Sequence, residues 1–245
     1  MADFQQRYQT STQTRTGVRE GIDEGLRTYM LRVYNLMALG IAVTALTVVT
    51  LGAFPEVLYA VAAGPMKWVL FAGVLGLGWF SPRLILGGNL AMAHGAYWLY
   101  TVLWGALIAP MVLFFLGEAP GIVAQAFFIT AATFGSMSLL GYTTKRDLSP
   151  MGTFLAMASI GLLIAIVVNV IFIQSGMMSL ITSSFVVLLF SAVTAYETQM
   201  IKNMYLEADA HGVRESKAIF GAFALYGSFI VLFVHILNIL GIMRD

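Results

Sequence analysis

AIFGAFALYGSFIVLFVHILNILGI, residues Ala218 to Ile242, contains no Asp, Glu, Lys or Arg. A helix needs about 20 consecutive, largely apolar residues to cross the hydrocarbon core of a bilayer. Towards the N-terminus, six further stretches meet the same condition: Ser179–Met200, Met151–Ile173, Gly121–Leu140, Met92–Leu116, Met66–Leu86 and Val33–Leu51. The chain is 59% hydrophobic and 10% charged, with a mean hydropathy of +0.85. An ordinary soluble domain is about 45–50% apolar and about 25% charged. With so little charge, a soluble chain could not cover its own core; lipid as solvent removes the conflict. The fold class is therefore an all-α integral membrane protein with seven transmembrane helices.

The first 28 residues are rich in Gln, Thr and Arg and hold no apolar run long enough for a signal peptide. They read as a mobile polar cytoplasmic tail, residues 1–28, ahead of a single transmembrane domain, residues 29–245. The first span then acts as an uncleaved insertion signal. The net charge is +1 and there is no cysteine. Nucleic acid is thus not expected as a partner, and disulfides, thiol catalysis and cysteine metal sites are excluded. No cofactor motif is present.

Short links such as Gly117-Glu118-Ala119-Pro120 and Gln174-Ser175-Gly176 make successive spans antiparallel. Ser149-Pro150 reads as an N-cap with a proline at N1, and Pro110 should kink or loosen the third span. Arg7, Arg15, Arg19, Arg27, Arg32, Arg83, Lys145, Arg146, Lys202, Arg214 and Lys217 fall on one side of the membrane, against Lys67 and Arg244 on the other. The bias puts the N-terminus in the cytoplasm and, after seven spans, the C-terminus outside. Gly73, Gly76 and Gly78 on the second span, and Ala131, Ala132, Gly135 and Ser136 on the fourth, are expected to let helices approach closely.

Ionisable groups within lipid are costly and therefore few. Glu197 lies near the inner end of the sixth span, with Ser191, Thr194 and Thr198 on nearly one face beside it. Such a carboxyl can exchange a proton or, ionised, hold a metal ion; the plain alternative is an interfacial carboxylate with no gating role. Arg83, after Ser81-Pro82, is expected at a similar depth, as an ion-pair partner for Glu197 or as a headgroup anchor. Ser228 and His235 are two turns apart on one face of the seventh span, with Asn238 a turn further. His235 reads either as a titrating group or as a hydrogen-bonded packing residue.

No enzyme is expected. Ser228 and His235 are separated by about 10 Å along one helix, too far for a nucleophile–base dyad, and His94 offers no better partner. The seventh span has no lysine for a Schiff base. The three histidines follow no metal-site spacing.

Three strings resemble a known family. Ile129–Ser149 reads ITAATFGSMSLLGYTTKRDLS, Ala195–Gln199 reads AYETQ, and Ala224–Gly241 reads ALYGSFIVLFVHILNILG. Together they resemble the bacterial, YccA-like branch of the Bax inhibitor family, the transmembrane Bax inhibitor motif proteins, over about Thr28 to Gly241. The resemblance implies two three-helix layers around a central C-terminal helix, and a location in the bacterial cytoplasmic (inner) membrane. It also implies a pH-responsive calcium leak gated by one aspartate on the sixth helix and one on the seventh. For the YccA-like branch it further implies binding to a membrane-anchored AAA protease.

The gate positions depart from that pattern. Glu197 stands at the sixth-helix aspartate, and Ser228 stands where the family's LYLDFINLF has its second. Val231 replaces the asparagine. One glutamate facing a serine titrates singly, whereas paired carboxylates share a proton. Calcium takes 6–8 oxygen ligands, so Glu197 would be a weak calcium site. The expected activity is a calcium, cation or proton pathway gated by Glu197, Ser228 and Arg83, with His235 supplying part of the missing titration. The competing expectation is a non-transporting regulator that docks through the tail and the loop Lys202–Lys217, which carries Glu207, Asp209, His211, Arg214 and Glu215.

Overall fold

A computed structural model describes the residues from Glu24 to Arg244. The tail as far as Asp23 lies outside the described residues, and its last five expected residues are already helical. Seven helices among the described residues are long and apolar enough to cross a membrane. They are α1 (Glu24–Gly52), α3 (Met66–Leu86), α4 (Leu90–Glu118), α5 (Pro120–Thr143), α6 (Ser149–Ile173), α7 (Gly176–Met204) and α8 (His211–Ile242). A short helix, α2 (Pro55–Ala62), sits in the link between α1 and α3 and starts on Pro55.

Each expected span falls within one of these helices. α1 and α8 run on by several polar residues at their N-terminal ends, because a helix need not stop where the lipid does. α4 continues unbroken through Pro110. Asn89 and Ser175 cap α4 and α7, accepting from the N–H groups of Met92 (3.1 Å) and Met178 (3.3 Å). Ser149 does not cap α6, contrary to expectation. It lies inside the first turn, and its own N–H donates to the Asp147 carboxylate at 2.9 Å. α6 ends in a widened π-helical turn, Asn169–Ile173, closed by Gln174 at φ 51°.

α8 runs through the middle of the bundle. It packs on α1, α3, α4, α5 and α7, and 67% of its apolar stretch is buried, against at most 33% elsewhere and 6% in α6. Leu225, Tyr226, Leu232 and Leu237 on it are completely enclosed. α4 packs on α1 and α3; α7 packs on α5 and α6; α4 and α5 also touch. The outer faces carry Trp79, Phe172, Leu188 and other large apolar side chains in exposed positions, the distribution a lipid solvent favours.

Close helix approach comes from other glycines than those expected. Ala131, Ala132, Gly135 and Ser136 face outward, and nothing stands within 4 Å of a side chain added at Gly76, Gly78 or Gly135. Of the expected set, Gly73 touches a neighbour, Leu103. Two of the tight points are Gly141 of α5, directly against the Ala195 carbonyl of α7, and Gly105 of α4, against Thr44 and Thr47 of α1. A small residue in lipid has no preference for protein or tails, so composition alone does not tell a contact face from an outer one.

Candidate functional site

α7 and α8 are antiparallel neighbours joined by a short loop, so their polar residues meet in pairs. Ser228 Oγ donates a 2.6 Å hydrogen bond to Glu197 Oε2. Farther along, Ser183 Oγ and His235 Nδ1 are 3.0 Å apart, and Asn238 Nδ2 donates to both Ser179 Oγ and Ser183 Oγ at 2.9 Å. Val186 and Leu232, both buried, lie on these helices between the two polar groups.

Two of the four expected gate residues are brought together, Glu197 and Ser228. His235 is hydrogen-bonded into the Ser183–Asn238 group, about 10 Å along α8 from Ser228, and takes no part in the Glu197 contact. Arg83 corrects the expected ion pair: it is exposed, and no Lys, Arg or His of the described residues has a nitrogen within 4.0 Å of the Glu197 carboxylate. Residues at one depth can point to opposite sides of a bundle, and depth was all that suggested the pair.

The hydroxyls beside Glu197 are committed elsewhere. Ser191, Thr194 and Thr198 donate to the carbonyls of Val187, Phe190 and Thr194 in their own helix at 2.7–2.8 Å. Thr198 also shares a 3.0 Å hydrogen bond with Ser138 of α5, which shares one of 2.5 Å with Tyr34 of α1. On the α4 side, Tyr100 stacks on Phe223 with ring centroids 4.0 Å apart, and its hydroxyl lies against Gly227, next to Ser228. Among the described residues, no three His, Cys, Asp or Glu side chains gather as metal ligands. Glu197 and Ser228 fall short of the 6–8 oxygens of a resident calcium site.

The turn of α7 that carries Glu197 is clasped to the α5–α6 link. Gln199 Oε1 accepts the Leu148 N–H at 2.7 Å, and its Nε2 donates to the Arg146 carbonyl at 2.8 Å. Lys202 Nζ donates to the Tyr142 carbonyl at 2.7 Å and stands 4.9 Å from the Tyr142 ring centre. The strings AYETQ and GYTTKRDLS thus meet in space, which sequence reading did not foresee; that two such distinctive strings share one chain was the available signal. Ser183 was also missed, though Ser179 and Ser183 at i, i+4 form the α7 face that meets His235 and Asn238.

At the same end of the bundle, Arg32 holds Glu215 through Nε at 3.2 Å and a terminal nitrogen at 2.6 Å, with His94 Nε2 at 3.8 Å. The expected loop Lys202–Lys217 is mostly helix, with α7 running to Met204 and α8 starting at His211. From α8, Lys217 pairs with Asp209 of the short link at 2.6 Å, and Arg214 donates to the carbonyls of Glu207 and Asp209 at 3.1 Å. Asp209 is thus paired within this segment, while Glu215 is held by Arg32 of α1.

A family profile described as inhibitor of apoptosis-promoting Bax1 matches residues 26–245. A Rickettsia prowazekii protein is 36% identical over 220 residues, covering 90% of this chain and 92% of the relative. A Deinococcus radiodurans protein is 38% identical over 222 residues, covering 89% and 92%. The Escherichia coli inner membrane protein YbhL is 34% identical over 226 residues, covering 89% and 93%.

Proposed function

The chain belongs to the Bax inhibitor-1/YccA-like family, and from that membership we propose that it is a pH-responsive calcium or cation leak pathway of the inner membrane. Its gate is a Glu197–Ser228 contact in place of two aspartates. The observation that carries this reading is the 2.6 Å hydrogen bond from Ser228 to Glu197. It joins α7 to the central helix α8 at the two positions where the family resemblance puts the gate. A hydroxyl keeps the closure that a shared proton makes between two carboxylates, and it leaves a single titrating group. Glu197, Ser228 and nearby backbone oxygens make a passing station for a cation rather than a store.

The N-terminus is assigned to the cytoplasm and the C-terminus to the outside. The short antiparallel links support this, because they bring Arg32, Arg83, Lys145, Arg146, Lys202, Arg214 and Lys217 to one end of the bundle, and basic residues favour the cytoplasmic side.

Purified protein in liposomes loaded with a calcium-sensitive dye tests the reading. Glu197→Gln should abolish the pH dependence of calcium entry. Identical flux and identical pH dependence in parent and variant would sink the gate. No flux in either, with a membrane-anchored AAA protease retained on the purified protein, would support the regulator instead.

A further inference from the structure

The polar groups of the Ala195–Lys202 turn, apart from the Glu197 carboxyl, engage α5, the α5–α6 link or the start of α6. Gly141 lies against the Ala195 carbonyl and Gly152 against the Tyr196 hydroxyl. Thr198 meets Ser138 at 3.0 Å. Gln199 binds Leu148 N–H and Arg146 C=O at 2.7 and 2.8 Å, and Lys202 binds the Tyr142 carbonyl at 2.7 Å. Glu197 points the other way, to Ser228 of α8. Residues two apart on a helix lie on opposite sides, so Glu197 and Gln199 grip different neighbours from one turn.

We infer that Gln199 is a positioning residue for the Glu197–Ser228 contact, acting through its two hydrogen bonds to the Arg146–Leu148 backbone. The inference rests on the gate reading above for its functional meaning, though the coupling exists independently of transport. An amide side chain suits this role: it satisfies one N–H and one C=O together, and so fixes both the height and the rotation of α7 relative to the link. Loss of those bonds frees α7 to turn, and a turn of even about 1 Å at the Glu197 carboxyl takes a 2.6 Å bond past good geometry. The strings GYTTKRDLS and AYETQ are, on this view, two halves of one clasp. Movement of the α5–α6 link at the membrane surface reaches the gate without touching it.

The test is a double-mutant cycle read on the full-length protein without any flux measurement. The carboxyl bands of Glu197 are isolated as the infrared difference against Glu197→Gln. Ser228→Ala should shift them, and in a Gln199→Ala background the same substitution should shift them less than about half as far, since interacting sites fail to add. Faster amide exchange at Leu148 in Gln199→Ala reports the opened clasp. Gln199→Glu keeps an acceptor for the Leu148 N–H and should give an intermediate result, which preserves the test if Gln199→Ala fails to fold. A Ser228→Ala shift undiminished once Leu148 protection is lost, or undiminished in Gln199→Glu when that is the variant that folds, overturns the inference. Reduced coupling with no flux from the parent protein leaves the positioning role standing and removes the leak.

Discussion

A single methyl group added at Gly141 should separate α5 from α7. The position that the new Cβ would take lies directly against the Ala195 carbonyl oxygen, and that oxygen belongs to a helix backbone and cannot swing aside. Carbon and oxygen do not usually approach closer than about 3.3 Å, so the two helices must part by about 1 Å. Ser138 and Thr198, one turn away, are bonded at 3.0 Å; about 1 Å more takes them out of hydrogen-bond range. Overpacking costs about 1–3 kcal/mol and a lost hydrogen bond about 1 kcal/mol, so Gly141→Ala should destabilise by about 2–4 kcal/mol. Gly135→Ala, two turns earlier with nothing within 4 Å, should instead gain about 0.5–1 kcal/mol of helix propensity. Unfolding in mixed micelles with increasing dodecyl sulfate, followed by tryptophan fluorescence, measures both. The reasoning is refuted if Gly141→Ala lies within about 0.5 kcal/mol of the parent, or if Gly135→Ala is the more damaging.

Lys217→Met strands the Asp209 carboxylate, whose pair is 18% and 13% exposed; the same unfolding assay should show a loss of about 2–3 kcal/mol, partly recovered in the double variant with Asp209→Asn. Tyr226→Phe removes a hydroxyl bonded to Thr44 at 2.5 Å, yet Thr44 keeps its 3.0 Å bond to the Thr101 carbonyl, so the expected cost is only about 1 kcal/mol. The Ser149 hydroxyl and N–H hold the Asp147 carboxyl below the usual carboxylate range. A carboxyl depressed in the folded state stabilises above its unfolded titration, near pH 4, and loses that contribution as pH falls further. The Ser149 amide chemical shift should accordingly stay constant above that range and move below it, and Asp147→Asn should flatten the response.

The spans were legible because the bilayer filters on length and apolarity alone, and each of the seven runs is of spanning length. Their ends were not, since residues such as His211 to Lys217 continue α8 beyond the lipid with no apolar signal. α2 escaped notice because PEVLYAVA is a single short run, too brief to cross and too apolar to look like a loop. Glu197 and Ser228 could be picked out as polar residues in apolar helices and as occupants of the family's gate positions. The Arg83–Glu197 ion pair was misjudged because sequence gives depth along a helix more readily than direction around it. Gln199 and Ser183 are ordinary polar residues; their roles exist only once α7 is packed between the α5–α6 link and α8.

The enclosure of α8 also sets the order in which the protein is completed. Translation delivers α8 after every helix that surrounds it. Until it enters, Glu197, Ser179 and Ser183 of α7 have neither the Ser228 hydroxyl nor the Asn238 amide to bond to. The polar seam closes only when this most deeply buried segment arrives. A chain that ends before Ala218 holds six of the seven spans and neither of these partners.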